Sequence, residues 1–107
     1  MQSGFIEAAG HNLEYRLIPA HQVNRPTLVF LHEGLGSLAM WRDFPAKVAN
    51  ATGCRTLVYS RYGYGESDLL TESFGVRYMH DEALIALPEL LDKLAIDRPV
   101  LVGHSDG

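Results

Sequence analysis

Apolar and polar side chains alternate at the start of the chain. A short run from Phe5 to Ala9 is followed by Gly10-His11-Asn12 and then by Leu13-Glu14-Tyr15-Arg16-Leu17-Ile18, where apolar residues recur at every second position. A period of two puts successive side chains on opposite faces of a strand, so the pattern predicts an antiparallel hairpin with its turn at Gly10-His11-Asn12. Pro19 to Pro26 is a polar connection. Three runs of another kind follow: Thr27-Leu28-Val29-Phe30-Leu31, Thr56-Leu57-Val58-Tyr59 and Val100-Leu101-Val102. They are continuously apolar and rich in β-branched residues, as expected of strands covered on both faces of a parallel sheet.

Parallel neighbours need crossovers, and the sequence between the runs supplies them. Leu38, Trp41, Phe44 and Val48 recur at helical spacing after Ser37, a candidate N-cap, and Gly53 is a stop signal. Pro45 divides this stretch into a short first piece and a second helix. In the second crossover Val76, Met79, Ala83, Leu84, Leu87, Leu90, Leu91 and Leu94 form one apolar stripe, with a kink expected at Pro88, which has no N–H for the Leu84 carbonyl. The predicted order is hairpin, strand, helix, strand, helix, strand. That is an α/β protein of the open-sheet kind.

Composition narrows the class without changing this picture. The 107 residues are 47% apolar and 21% charged, with 10 Gly and 5 Pro, which fits one globular domain at most and excludes disordered and collagen-like chains. Acidic residues (13) outnumber Lys and Arg (9) without clustering, so no nucleic-acid footprint is present. No run is long and apolar enough to span a membrane, and Met1 to Gly10 has neither the basic start nor the apolar stretch of a signal peptide, so a cytoplasmic location is expected. Cys54 is the single cysteine. It opens a strand-like run and is expected to be a buried structural thiol.

The strongest chemical signal is Gly103-His104-Ser105-Asp106-Gly107, a G-x-S-x-G pattern at the end of a predicted buried strand. In a nucleophile elbow the serine sits at a tight strand-to-helix turn, and Gly is needed on both sides because a Cβ there collides with neighbouring backbone. Ser105 is the candidate nucleophile. A serine hydroxyl needs a base. His104 is adjacent, but consecutive strand positions face opposite ways, so it is expected to be a packed histidine. His32 ends another strand and is a weak candidate; His11, His21 and His80 lie on a turn, a connection and a helix. Acyl transfer also needs two donors at the developing oxyanion. In an elbow site one is the backbone N–H of the residue after the nucleophile, here Asp106, and the other comes from the loop after an earlier strand, here Leu31-His32-Glu33-Gly34-Leu35-Gly36-Ser37. Gly34 or Leu35 is the candidate.

Three motifs in this order, LVFLHEGLGS, the loop Ser60-Arg61-Tyr62-Gly63-Tyr64-Gly65-Glu66-Ser67-Asp68 and VGHSDG, resemble the α/β-hydrolase fold in its epoxide-hydrolase, lactonase and C–C hydrolase branch. The first is similar to that family's His-Gly-x-x-Gly loop, with Glu33 at the place of the first Gly, and the resemblance then implies Gly34 as the oxyanion donor. Ser60 stands where the family often has Asp, and Tyr62 where it often has Arg. Members that open epoxides or displace halide carry Asp at the elbow, so Ser105 implies an ester, lactone or related acyl or C–C substrate. The resemblance further implies a cofactor-free enzyme whose triad acid and histidine follow in the order Ser, acid, His. Residues 1–107 are then expected to be the N-terminal part of a single α/β-hydrolase domain, ending at the elbow before the later strands, the cap and both triad partners. The implied partner is a small acyl substrate, with neither nucleic acid nor membrane.

Three rival readings carry less. Gly34-x-Gly36-x-x-Ala39 follows a strand and opens a helix like a dinucleotide fingerprint, but the next strand ends at Ser60-Arg61 rather than at an acidic residue. His32, Glu33, His104 and Asp106 all fall at strand ends and are chemically able to hold zinc, although the amides around Ser105 are wanted for the oxyanion. The last is a hydrolase fold kept as a non-catalytic binding module. Glu33 and Asp106 also place two carboxylates near the site, which would disfavour anionic substrates or raise the pKa of the general base unless Glu33 simply faces solvent.

Overall fold

The structure is a computed structural model that describes residues 2–32, 36–69, 81–104 and 107. Its centre is a five-stranded sheet in the order β1-β2-β4-β3-β5, with β1 Gln2–Ala8, β2 His11–Ile18, β3 Thr27–Leu31, β4 Thr56–Tyr59 and β5 Pro99–Gly103. The hairpin β1–β2 is antiparallel and joins β4 antiparallel. By contrast β3 pairs in parallel with both β4 and β5. The α/β architecture expected from the hydrophobic pattern is therefore present.

The hairpin is tighter than the sequence pattern suggests. Ala8 pairs with His11, leaving Ala9 and Gly10 as the turn, with φ of 53° and 81°. Positive φ at both central residues is the requirement of a type I′ turn, whose twist matches that of the flanking strands. Gly10 adopts it freely, whereas Ala9 does so against its Cβ.

The first crossover divides as Pro45 requires. A 3-10 turn at Leu38–Trp41 is followed by helix α1, Phe44–Thr52, with Pro45 in its first turn and Gly53 at φ 72° closing its end by donating to the Ala49 carbonyl at 2.8 Å. Ser37 stands at the expected N-cap, but its hydroxyl caps nothing. The Leu38 N–H donates instead to Ser60 Oγ, 2.8 Å away at the end of β4.

The second crossover departs from the predicted stripe. Residues Glu82–Ala86 form a π-helical turn in which the Leu87 N–H reaches back to the Glu82 carbonyl, and α2, Leu87–Lys93, continues from it. Leu87 and Leu90 are buried, as predicted, whereas Ala83 is exposed and Leu84 is 67% exposed. The extra residue in the π turn rotates everything before it relative to α2, so Ala86 takes the inward position. The turn ends two residues before Pro88, which has no N–H to offer the Leu84 carbonyl. Val76 and Met79 lie outside the described residues.

The sheet separates two apolar layers. Leu13, Tyr15, Leu17, Val29, Leu57 and Tyr59 pack with Leu87, Leu90 and Ile96 on one side. Leu28, Phe30, Val58 and the buried Cys54 pack with Leu38 on the other, backed by Trp41, Val48 and Val102. Strand β5 is the exception to two-sided burial. Among the described residues it lies at the sheet edge, paired with β3, and Val100 and Leu101 are 44% and 50% exposed.

Candidate functional site

The carboxyl ends of β3, β4 and β5 emerge on one edge of the sheet, because parallel strands share their direction. Each carries a motif singled out in the sequence: His32 after β3, Ser60 and Arg61 after β4, and His104 after β5. His32, Gly36, Ser37, Met40, Trp41 and His104 line a cavity of about 120 Å³ there. Ser105, Asp106 and Gly34, the expected nucleophile and oxyanion donors, lie outside the described residues, as do Glu33 and Leu35.

The glycines flanking Ser105 meet the steric expectation. A Cβ on Gly103 runs into the Gly107 carbonyl, coming within 2.8 Å of its carbon, and one on Gly107 runs into the carbonyl oxygens of Leu31 and His32, 2.7 Å from the latter. These are backbone atoms that no side-chain rearrangement removes. The His104 N–H donates to the Leu31 carbonyl at 3.3 Å and the Gly107 N–H to the His104 carbonyl at 3.1 Å. Both ends of the pentapeptide are thus pressed against the end of β3.

The histidines divide differently from the expectation. His32 is 2% exposed, and its Nε2 accepts the Arg61 N–H at 3.0 Å. That nitrogen is engaged as an acceptor for the β4 end. Arg61 Nη2 returns a bond to the His32 carbonyl at 3.2 Å, and the guanidinium lies 5.4 Å from the centre of the Tyr64 ring. His104, expected to be packed, has an exposed side chain on the cavity wall, edge-on to Trp41 at 6.4 Å. The strand ends at Gly103, so the alternation that was to bury His104 no longer applies. The Trp41 indole N–H is buried beside it with no acceptor among the described residues.

Two features beneath this edge were not visible in the sequence. The Tyr59 hydroxyl donates to Glu82 Oε2 at 2.6 Å, joining the end of β4 to the π turn. Burial, followed by the Glu82 charge and hydrogen bond, raises the Tyr59 pKa well above 10, which keeps the donor proton in place. Burial likewise raises the Glu82 carboxyl, against the opposing effects of the Tyr59 hydrogen bond and the Arg61 charge. The other feature is a polar cluster built on Glu14. Its Oε2 accepts from the Ser60 hydroxyl at 2.8 Å and from the Glu66 N–H at 2.7 Å. The Glu14 N–H donates to Ser67 Oγ at 2.9 Å, and the Ser67 hydroxyl donates to the Ser60 carbonyl at 2.7 Å.

Among the described residues no three His, Cys, Asp or Glu side chains are grouped to hold a metal ion, and no helix is long and apolar enough to cross a membrane. Of the four residues in the zinc reading, Glu33 and Asp106 lie outside the described residues.

Comparison with solved structures finds the same fold repeatedly. A hydrolase from Pseudomonas aeruginosa PA01 is 28% identical, superposes with a TM-score of 0.73, and is matched over 98% of this chain and 37% of its own. The proline iminopeptidase of Mycobacterium smegmatis is 22% identical at a TM-score of 0.82, over 99% of this chain and 36% of its own. An esterase from Exiguobacterium antarcticum is 21% identical at a TM-score of 0.77, over 99% and 37%. The chain thus spans about a third of the length of the structures it resembles. A search of curated proteins finds no match. Residues 26–107, from the start of β3 through the elbow motif, match the family described as alpha/beta hydrolase fold, and the chain belongs to that family.

Proposed function

We propose that the protein is a serine hydrolase that acts on a carboxylic ester, lactone or related acyl or C–C bond through an acyl-enzyme. The reading is carried by the G-x-S-x-G pentapeptide at the end of a parallel strand, whose two outer glycines abut backbone and leave no room for a Cβ. Ser105 Oγ attacks the carbonyl carbon and passes its proton to a base; the N–H groups of Gly34 and Asp106 hold the resulting oxyanion. Collapse expels the leaving group, which takes that proton, and water then releases the acyl group by the same steps in reverse. As the family resemblance implies, the acid and base partners of Ser105 would come from later strands, in the order Ser, acid, His. No cofactor is required by this chemistry.

The test is covalent labelling of the full-length protein with a fluorophosphonate probe. Labelling that disappears in Ser105→Ala supports the proposal. Absence of labelling, or labelling that persists in Ser105→Ala, overturns it, and the first result favours a hydrolase fold kept as a binding module.

A further inference from the structure

The segment that carries Gly34 leaves β3 at His32 and returns to described backbone at Gly36, Ser37 and Leu38. Among the described residues its return point is held by a hydrogen bond from the Leu38 N–H to Ser60 Oγ at 2.8 Å. Ser60 is fully buried. A hydroxyl has a single proton, and here it points to Glu14 Oε2 at 2.8 Å, which turns an oxygen lone pair toward the Leu38 amide. Donating to a carboxylate also makes the hydroxyl oxygen a better acceptor. Glu14 lies on β2, in the antiparallel part of the sheet, and its position is fixed in turn by the Glu66 N–H on the same Oε2 and by the Ser67 hydroxyl on its own backbone N–H. Gly65 closes the cluster at φ 54°: a Cβ there runs into the Glu14 carboxylate, 2.6 Å from Ser60 Oγ and 3.1 Å from Ser37 Cβ. None of Glu14, Ser60, Gly65, Glu66 and Ser67 is among the described residues that line the cavity.

We propose that Glu14 is a positioning residue of the hydrolase site: through the Ser60 hydroxyl it anchors the Leu38 amide, and so fixes the end of the loop that bears the oxyanion donor. The proposal rests on the serine-hydrolase reading for its catalytic consequence and on the described hydrogen bonds for its physical content. Because Ser60 and Glu66 both bond Oε2, one amide oxygen replaces the carboxylate, whereas a methyl group leaves the Ser60 proton without its acceptor.

Two measurements on the full-length protein test it. In Glu14→Ala, hydrogen exchange at the Leu38 amide, followed by NMR, rises at least tenfold, while Glu14→Gln stays near wild type. In the same variants kcat on p-nitrophenyl acetate falls about 10- to 100-fold in Glu14→Ala, on the order of what displacing a donor by about an ångström costs, with KM changed less than about twofold. Glu14→Gln recovers to within about threefold of wild type. Adding Ser60→Asp to Glu14→Ala brings a carboxylate to the Leu38 amide in the space the larger side chain vacates, and restores part of both readouts. This double variant also guards against simple failure to fold. Unchanged Leu38 exchange in Glu14→Ala, a loss in Glu14→Gln as large as in Glu14→Ala, or a loss confined to KM overturns the proposal. Wild-type protein that fluorophosphonate does not label overturns the hydrolase reading instead, and the exchange result then decides the anchoring alone.

Discussion

Glu82 is a carboxyl group held in a partly dehydrated niche by one hydroxyl and one nearby guanidinium, and burial outweighs both. A carboxyl whose pKa is raised by folding binds its proton more tightly in the native state. The stability this lends is complete below the unfolded carboxyl pKa of about 4.3 and is lost as the pH rises through the higher folded value. Glu82→Gln keeps an acceptor for Tyr59 and removes the titration. Urea midpoints measured from pH 4 to pH 8 are therefore expected to show a variant that gains on wild type as the pH rises, the difference opening in the weakly acid range. Parallel curves count against the assignment. Little of this was legible beforehand, and the cause is distance along the chain. Glu82 was one acidic position on a helix, and Glu14 was a polar position on an alternating strand. Their partners lie 23 residues away for Glu82, and 46 and 52 residues away for Glu14. The glycines at 103 and 107 were legible because the backbone itself imposes the requirement, at positions only four residues apart.

Elements whose rules are local were readable in the same way. Pro45 and Gly53 delimit α1 as the sequence suggests, because one fixes φ at a helix start and the other accepts φ of 72° at its end. The π turn was not readable, since the register shift at Glu82–Ala86 comes from how the segment meets Pro88 and the sheet, and no period in the sequence encodes it. The β1–β2 turn was missed for a related reason: Ala is not a turn residue, so the glycine after it was read as the start of the turn rather than its second half. This makes Ala9 a testable weak point. It is exposed, its φ is 53°, and its N–H contact with the Glu89 carboxylate uses only backbone. Asn tolerates the left-handed region better than Ala, and Asn-Gly is the preferred pair for a type I′ turn. Ala9→Asn is expected to stabilise the protein by about 0.5–1 kcal/mol, read from the urea midpoint at constant slope. A loss of stability would mean that the turn is not of this type.

The described residues form a sheet with helical cover on both sides of β3 and β4 and with exposed apolar side chains on β5. All three strands read alike in sequence, as continuous apolar runs, yet they differ in what packs on them. Leu57 in β4 is 0% exposed within the layer that includes Leu87 and Leu90, whereas Leu101 in β5 is 50% exposed at an edge. Truncating a buried Leu removes its transfer free energy and leaves a cavity, together about 2–5 kcal/mol, while a half-exposed side chain has less to lose and no cavity to leave. In the 107-residue chain, Leu57→Ala is therefore expected to cost at least about 2 kcal/mol and Leu101→Ala less than about 1 kcal/mol, both measured by urea denaturation. The comparison discriminates because hydrophobicity and strand propensity are the same at the two positions. Equal losses would show that something covers β5 in solution, and that the edge position of the elbow strand does not describe how this chain buries its surface.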